Sequence, residues 1–299
     1  WLWCFLYIFK KKKMIIWLAS YPKSGNTLIR SMLSAYFFSK DGIYNFDIIK
    51  NIKQFPNVTL FENLGVDIKN EEEVIKNYIK VQETFNKKNS IQFCKTHSCL
   101  FNYLNKYPFT NLEIYLGVIY VVRDPRNVVT SYAKFSQNSI DNVAEIMINQ
   151  TYVSGNLNAN KNKGERTTVL SGTWASNFET WKSFNFNNRY LLIKYEDLIS
   201  SPDVVFTKIL KFIFKLNKTK FKIDRKKFDN VIKTTSFEYM KSLETKNGFT
   251  ESKIDLVSNK KIPFFNLGPK NDWKKLLDPE ITKKIEKAFK KEMKELGYL

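Results

Sequence analysis

The sequence predicts an α/β fold: a three-layer, P-loop-type arrangement with a central, mainly parallel sheet flanked by helices. Three observations predict it. The apolar run Ile15-Ile16-Trp17-Leu18-Ala19 passes through a short loop, Tyr21-Pro22-Lys23-Ser24-Gly25-Asn26-Thr27, into the helix-like run Leu28-Ile29-Arg30-Ser31-Met32-Leu33. Two further buried-strand runs, Ile114 to Val122 and Tyr190 to Tyr195, are rich in Ile, Val, Leu and Tyr. Helical patterns separate these runs, and alternating strands and helices build a parallel sheet covered on both faces.

The elements follow in order. The pattern predicts a strand over 15–19, a helix over 27–38, an irregular stretch containing Gly42, Pro56 and Gly65, and a charged helix over 70–86. Ile91-Gln92-Phe93-Cys94-Lys95 reads as a short strand. After the strand at 114–122, Pro125 suits the first turn of a helix running to about Phe135. Residues 136–170 are polar and Asn-rich, which predicts a mobile segment. An amphipathic helix carrying Trp174, Phe178 and Trp181 is expected from Gly172 to Phe184, then a strand over 190–195. Helices are expected at about 203–214 and 225–241, a Lys- and Asn-rich loop over 245–271, and a last helix from Pro279 to about Leu296.

No repeat, linker or composition break divides the chain, so residues 14–299 read as one domain. The 299 residues are 43% hydrophobic, enough for a sizeable core. The 49 Lys and Arg outnumber the 29 Asp and Glu, giving a net charge of +20. That suits polyanionic ligands, although heavy use of Lys, Asn and Ile also follows from AT-rich coding. No basic run is interleaved with aromatics, so a nucleic-acid partner is not expected. Cys4, Cys94 and Cys99 form neither a zinc pattern nor a disulfide framework, and a reducing cytoplasm is the expected compartment. Cys94 reads as a core residue.

The apolar stretch Trp1 to Phe9 falls well short of the roughly 20 residues that span a bilayer. The basic run Lys10–Lys13 follows it, the reverse of a secretory signal. Stable membrane insertion is therefore not expected. Residues 1–13 read as a non-native or upstream-translated extension, with Met14 as the start and a short membrane anchor as the alternative.

Chemistry concentrates at three places. A strand, a tight loop and a helix N-terminus hold a phosphate through backbone N–H groups. Lys23 adds a charge to the loop, and Ser24 and Thr27 add hydroxyls. The Gly-Lys-[Ser/Thr] ending of a Walker A loop is missing, and an ordinary strand-to-helix turn would have the same punctuation. Past the strand at 91–95 lies His97, the only histidine in the chain, two residues from Lys95. A general base near neutral pH is most often His; a satisfied core histidine is the competing reading. Third, Arg123 at a strand end precedes Ser131 by eight residues on the next helix. An Arg fork and a hydroxyl can grip one phosphate from two sides, whereas an Arg123–Asp124 pair capping the helix would be merely structural. In a parallel sheet all three places gather beyond the strand C-termini.

Together these elements resemble the sulfotransferase family that uses 3′-phosphoadenosine 5′-phosphosulfate (PAPS), in its cytosolic branch, and the chain is read as a bacterial member. Tyr21–Thr27 looks like the 5′-phosphosulfate loop, Val121–Ser131 like the 3′-phosphate motif, and Lys95-Thr96-His97 like the motif bearing the catalytic His. The likeness continues through Gly172-Thr173-Trp174, Tyr195-Glu196-Asp197-Leu198, Thr235-Ser236-Phe237, Gly268 and Asp272-Trp273, spanning roughly residues 15–275 in the family's order. The resemblance implies that His97 takes the acceptor's proton. Lys23 would stabilise the bridging oxygen and Lys95 the transferring sulfuryl group. Ser24, Gly25, Asn26 and Thr27 would hold the 5′-phosphosulfate, and Arg123 and Ser131 the 3′-phosphate, with Ser131 also placed to restrain Lys23. Phe237 would stack on adenine, with Tyr195 and Gly268 near the nucleotide. Lysine charge suffices for such a transfer, so no metal is required.

Two departures stand out. Leu28 occupies a position where many members carry Trp, and Asn266-Leu267 stands where a cationic pair is usual. Lys270, Lys246 and Lys261 are candidates to replace that pair. The function expected is sulfuryl transfer from PAPS to a hydroxyl, less readily an amine, of a small-molecule, lipid or glycan acceptor. The acceptor pocket would draw on 36–66, 136–170 and 245–265, with Tyr36, Phe37 and Phe38 assigned to the core. A P-loop nucleotide kinase and an inactive PAP-binding relative are the alternatives. Oligomeric state has no readable signal.

Overall fold

The computed structural model describes residues 14–86, 90–149, 169–255 and 258–299. Nine strands are found there: β1 (Ile15–Ser20), β2 (Lys53–Gln54), β3 (Gln92–Thr96), β4 (Asn102–Tyr103), β5 (Tyr107–Pro108), β6 (Tyr115–Val122), β7 (Tyr190–Lys194), β8 (Lys253–Ile254) and β9 (Lys261–Ile262). Five form one sheet in the order β2-β3-β1-β6-β7, and every pairing in it is parallel. The other four make two antiparallel pairs, β4–β5 and β8–β9.

The central strands are buried on both faces. Along β1, Ile15, Trp17 and Ala19 enter one apolar core, while Ile16 and Leu18 enter the other. Along β6, Val118, Tyr120 and Val122 share the first core and Ile119 and Val121 the second. That alternation is the two-residue period of a strand, and it produces three layers. Register then fixes the site. Ala19 pairs with Thr96 and with Tyr120, and Val122 pairs with Lys194. The chain therefore leaves β1, β3, β6 and β7 along one edge, where the strand order switches direction around β1. Open α/β sheets bind ligands at such a point.

The helices Asn26–Phe38, Pro125–Ser136, Trp174–Lys182 and Pro202–Leu216 match expectation closely. Several expected elements are divided. The charged helix over 70–86 is two helices, Glu71–Lys76 and Tyr78–Asn86, parted at Asn77. The helix over 225–241 is broken at Thr235-Ser236, because the Ser236 side chain accepts from the Tyr239 N–H and starts a new helix, Phe237–Asn247. The last helix divides at Phe289 into Pro279–Ala288 and Lys290–Glu295. The loop over 245–271 holds the β8–β9 pair. Within the expected mobile segment, residues Ile140–Asn149 form a helix whose Val143, Ala144 and Met147 reach the core; the part over 150–168 lies outside the described residues. So do residues 1–13 with their proposed start, and Cys4. Cys94 is buried as expected. Tyr36 joins the core and Phe37 packs against it, but Phe38 is 41% exposed, since the helix ends there.

Candidate active site

A cavity of about 280 Å³ lies at the switch-point edge of the sheet. Its lining brings together Lys23, Gly25, Asn26, Thr27, Lys95, His97, Arg123, Ser131, Tyr195, Phe237 and Gly268. Ser24 is the exception: its side chain is fully buried beneath the loop.

The loop is shaped by backbone that few residues adopt. Lys23 takes φ 65° and Gly25 takes φ 102°, both left-handed. At Lys23, that conformation costs roughly 1–2 kcal/mol and turns the side chain into the cavity mouth. At Gly25, a Cβ would stand 2.4 Å from the Tyr195 ring, so only glycine permits the loop to lie on that ring. Gly25 is also the N-cap of the helix Asn26–Phe38. The Asn26 side chain is committed to the end of β1, donating to Leu18 O at 2.9 Å and Ser20 Oγ at 3.2 Å. Asn26 therefore braces the turn and can offer a ligand its backbone N–H.

Arg123 leaves the end of β6, its guanidinium 4.2 Å from the centre of the Tyr195 ring, and donates to Lys23 O at 3.2 Å. Its Nε and the Ser24 Oγ are buried without a hydrogen-bond partner. Buried polar atoms of this kind are costly unless something satisfies them, and the Arg123 guanidinium, which lines the cavity, can donate to an oxyanion. A phosphate-rich ligand fits this donor set. The Arg123–Asp124 pairing is not what forms. Asp124 caps its helix by accepting from Arg126 N–H, and its carboxylate pairs with the Arg126 guanidinium at 2.7 Å. Arg126 also meets Glu286 at 2.6 Å and lies 3.9 Å from the Trp273 ring centre. Arg126 is thus structural, and Arg123 is left to the cavity.

His97 is oriented from both sides. Its Nδ1 lies 2.9 Å from Ser20 O. A carbonyl only accepts, so Nδ1 carries the proton and Nε2 is the basic nitrogen of the neutral ring. Its backbone carbonyl accepts from Asn177 at 3.0 Å, and the next carbonyl, of Ser98, accepts from the Trp181 indole at 2.8 Å. The helix Trp174–Lys182, capped by Thr173 and Ser176, therefore fixes the turn that bears His97.

The Lys23 ammonium sits 4.0 Å from the centre of the Phe135 ring and 4.4 Å from that of Phe264. Burial holds its pKa down to about 7, with Lys95, Arg123 and Lys253 adding repulsion and Glu251 opposing them. No hydrogen bond joins Lys23 to Ser131 among the described residues, so the expected restraint gives way to two aromatic faces. Gly268, at φ 52°, lies against Phe237: a Cβ there would be 2.3 Å from its ring.

Of the expected acceptor segments, Gln54, Val169 and residues 251–253 and 262–265 line the cavity. Lys270, Lys246 and Lys261 do not; all three are exposed. The additional cations of the lining are Lys134 and Lys253. Lys134 and Phe135 stand three and four residues beyond Ser131 on one helix, a spacing that would have placed them beside it. Glu251, paired with the buried Arg30 at 2.6 Å, carried no such signal. Among the described residues, no group of three or more His, Cys, Asp or Glu is placed to hold a metal ion, and no helix is long and apolar enough to cross a membrane.

The sulfotransferase domain model matches residues 13–297. The chain belongs to the sulfotransferase family. It is 26% identical over 191 residues to a 3-beta-hydroxysteroid sulfotransferase of Cavia porcellus, covering 64% of this chain and 60% of that protein. It is 22% identical over 291 residues to a flavonol 3-sulfotransferase of Flaveria bidentis, covering 97% and 85%. The chain thus spans under two thirds of the guinea-pig relative and most of the plant one. Among solved structures, mouse sulfotransferase SULT7A1 complexed with PAP shares the fold at TM-score 0.53 and 17% identity, over 95% of this chain and 84% of that one. Retinol dehydratase in complex with androsterone and PAP does so at TM-score 0.54 and 16% identity, over 94% and 80%. The parallel sheet flanked by helices in this chain is therefore the fold of its family.

Proposed function

We propose that this sulfotransferase moves a sulfuryl group from PAPS to the hydroxyl of an apolar small-molecule acceptor. The observation that carries the reading is the convergence of Lys23, Lys95, His97 and Arg123 at the ends of three adjacent parallel strands, in one cavity. PAPS supplies the sulfuryl group. His97 Nε2 takes the proton of the acceptor hydroxyl as the new S–O bond forms. Lys23 and Lys95 place positive charge where the old S–O bond breaks and negative charge collects. Arg123, Ser131 and the loop from Ser24 to Thr27 hold the phosphates, and Phe237, Tyr195 and Gly268 form the nucleoside side. The aromatic lining and the steroid and flavonol names of the relatives support an apolar acceptor.

The decisive experiment pairs PAP calorimetry with labelled-PAPS transfer to a panel of phenols and sterols. His97→Ala should lower transfer by about 10²–10⁴-fold and change PAP affinity less than about threefold. Full activity in that variant would remove His97 as the base. Thermal stabilisation of the wild type by ATP–Mg²⁺ but not by PAP would favour a kinase.

A further inference from the structure

One buried carboxylate outside the proposed transfer machinery is spent entirely on the segment that walls the cavity. Glu244 lies on the helix Phe237–Asn247 and is 8% exposed. Its Oε1 accepts from the Phe264 N–H at 2.8 Å and its Oε2 from the Phe265 N–H at 2.9 Å. The Ser252 hydroxyl also donates to Oε1. These donors flank the hairpin, since Ser252 precedes β8 and the two phenylalanines follow β9. A carboxylate out of water is costly unless donors surround it, and here all three come from the cavity wall. Phe264 is the residue whose ring meets the Lys23 ammonium, with Phe135 edge-on at 6.1 Å.

We propose that Glu244 is a positioning residue for Lys23: by clamping Ser252, Phe264 and Phe265 it holds the Phe264 ring on the ammonium and excludes water there. The inference rests on the reading of Lys23 as a donor-binding group. Charged groups facing Lys23 come from several elements: Lys95 on β3, Arg123 after β6, Lys134 beside Phe135, and Glu251 and Lys253 on the wall, with His97 in the same lining. Burial dominates over all of them in lowering its proton affinity. A nucleotide anion binds the protonated ammonium, so its affinity should fall as pH rises past the point where Lys23 loses its proton. Loosening Phe264 lets water reach Lys23 and moves that point upward.

The test is PAP calorimetry from pH 6.5 to 9.5 on the wild type, Glu244→Gln, Ser252→Ala and Glu238→Gln, an exposed carboxylate on the same helix. A glutamine keeps the size but turns one oxygen into a donor facing an N–H. Wild-type affinity should fall by up to about tenfold per pH unit above about 7. Glu244→Gln should shift that onset upward by roughly one unit, Ser252→Ala by less, and Glu238→Gln not at all. Coincident profiles for folded Glu244→Gln and wild type, or an equal shift in Glu238→Gln, would overturn the proposal. If Glu244→Gln does not fold, the Ser252→Ala profile decides. Failure of the wild type to bind PAP would instead overturn the donor reading, and this inference with it.

Discussion

The two walls of the cavity are built by opposite means. The strand-end wall carries Lys23, Lys95, His97 and Arg123 at the ends of β1, β3 and β6, whose parallel pairing sets their spacing through the main chain. The opposite wall, from Glu251 to Phe265, has among its described residues only the two-residue strands β8 and β9. Side chains tie it down: Glu244 holds its middle, and beyond it Asn271 accepts from Thr130 at 2.9 Å and donates to Asn127 O at 2.8 Å. Reactive groups thus sit where backbone hydrogen bonds fix geometry. The opposite wall hangs on replaceable contacts, so it can change without disturbing the strand ends.

Lys23→Met is the strongest way to break this contrast. On the strand-end wall it should lower transfer by about 10²–10³-fold, as loss of one electrostatic stabiliser does. It has a second signature in the ligand-free protein. Between about 7 and 10.5 the unfolded chain holds a proton on Lys23 that the folded chain has lost. Stability from this group therefore rises with pH across that window. Melting from pH 7 to 9 should show the rise in the wild type and a flatter profile in Lys23→Met. Equal slopes would mean that Lys23 is hydrated and ordinary.

Arg123 and Arg126 sharpen the contrast within one turn of chain. Arg126 is locked between Asp124, Glu286 and the Trp273 ring, and Arg126→Ala leaves a buried carboxylate unpaired, costing about 3–5 kcal/mol of stability. PAP affinity of the folded fraction should change little. Arg123→Ala should do the reverse, weakening PAP about 10- to 100-fold through the loss of one charge-assisted contact. Chemical denaturation and calorimetry on both variants read the crossover; parallel losses in both would show that the arginines share one role.

The sequence carried the strand-end wall almost completely, because its signals are local. A buried run, a glycine that must take positive φ, and an Arg or His just past a strand need no tertiary knowledge. Asn77, Ser236 and Phe289 show where locality failed: each marks a break between two helices inside an otherwise continuous periodic stretch. Arg123 and Arg126 look alike in sequence, and only the approach of Glu286 and Trp273, more than 140 residues later, separates them. Glu244 and Glu251 were unreadable for the same reason, since their partners lie on other elements.

The smallest expected effect tests which wall completes the anion site. Lys246, Lys261 and Lys270 are exposed and outside the lining; Lys134 is exposed too but lies within it, as does the half-buried Lys253. Exposed charges away from the cavity are screened by salt and contribute little. Alanine at each of the first three should change PAP affinity by less than about twofold. Lys134→Ala should weaken it by more, about three- to tenfold, because Lys134 follows Ser131 by one helical turn. Lys253 shares the Phe135 ring with Lys23, 4.4 Å from its centre, so it stands with the transferring group. Lys253→Ala should accordingly affect turnover more than PAP binding. A larger loss of PAP affinity in Lys270→Ala than in Lys134→Ala would move the missing cationic contact to the segment after Gly268. The side-chain-held wall would then supply the cation of the anion site.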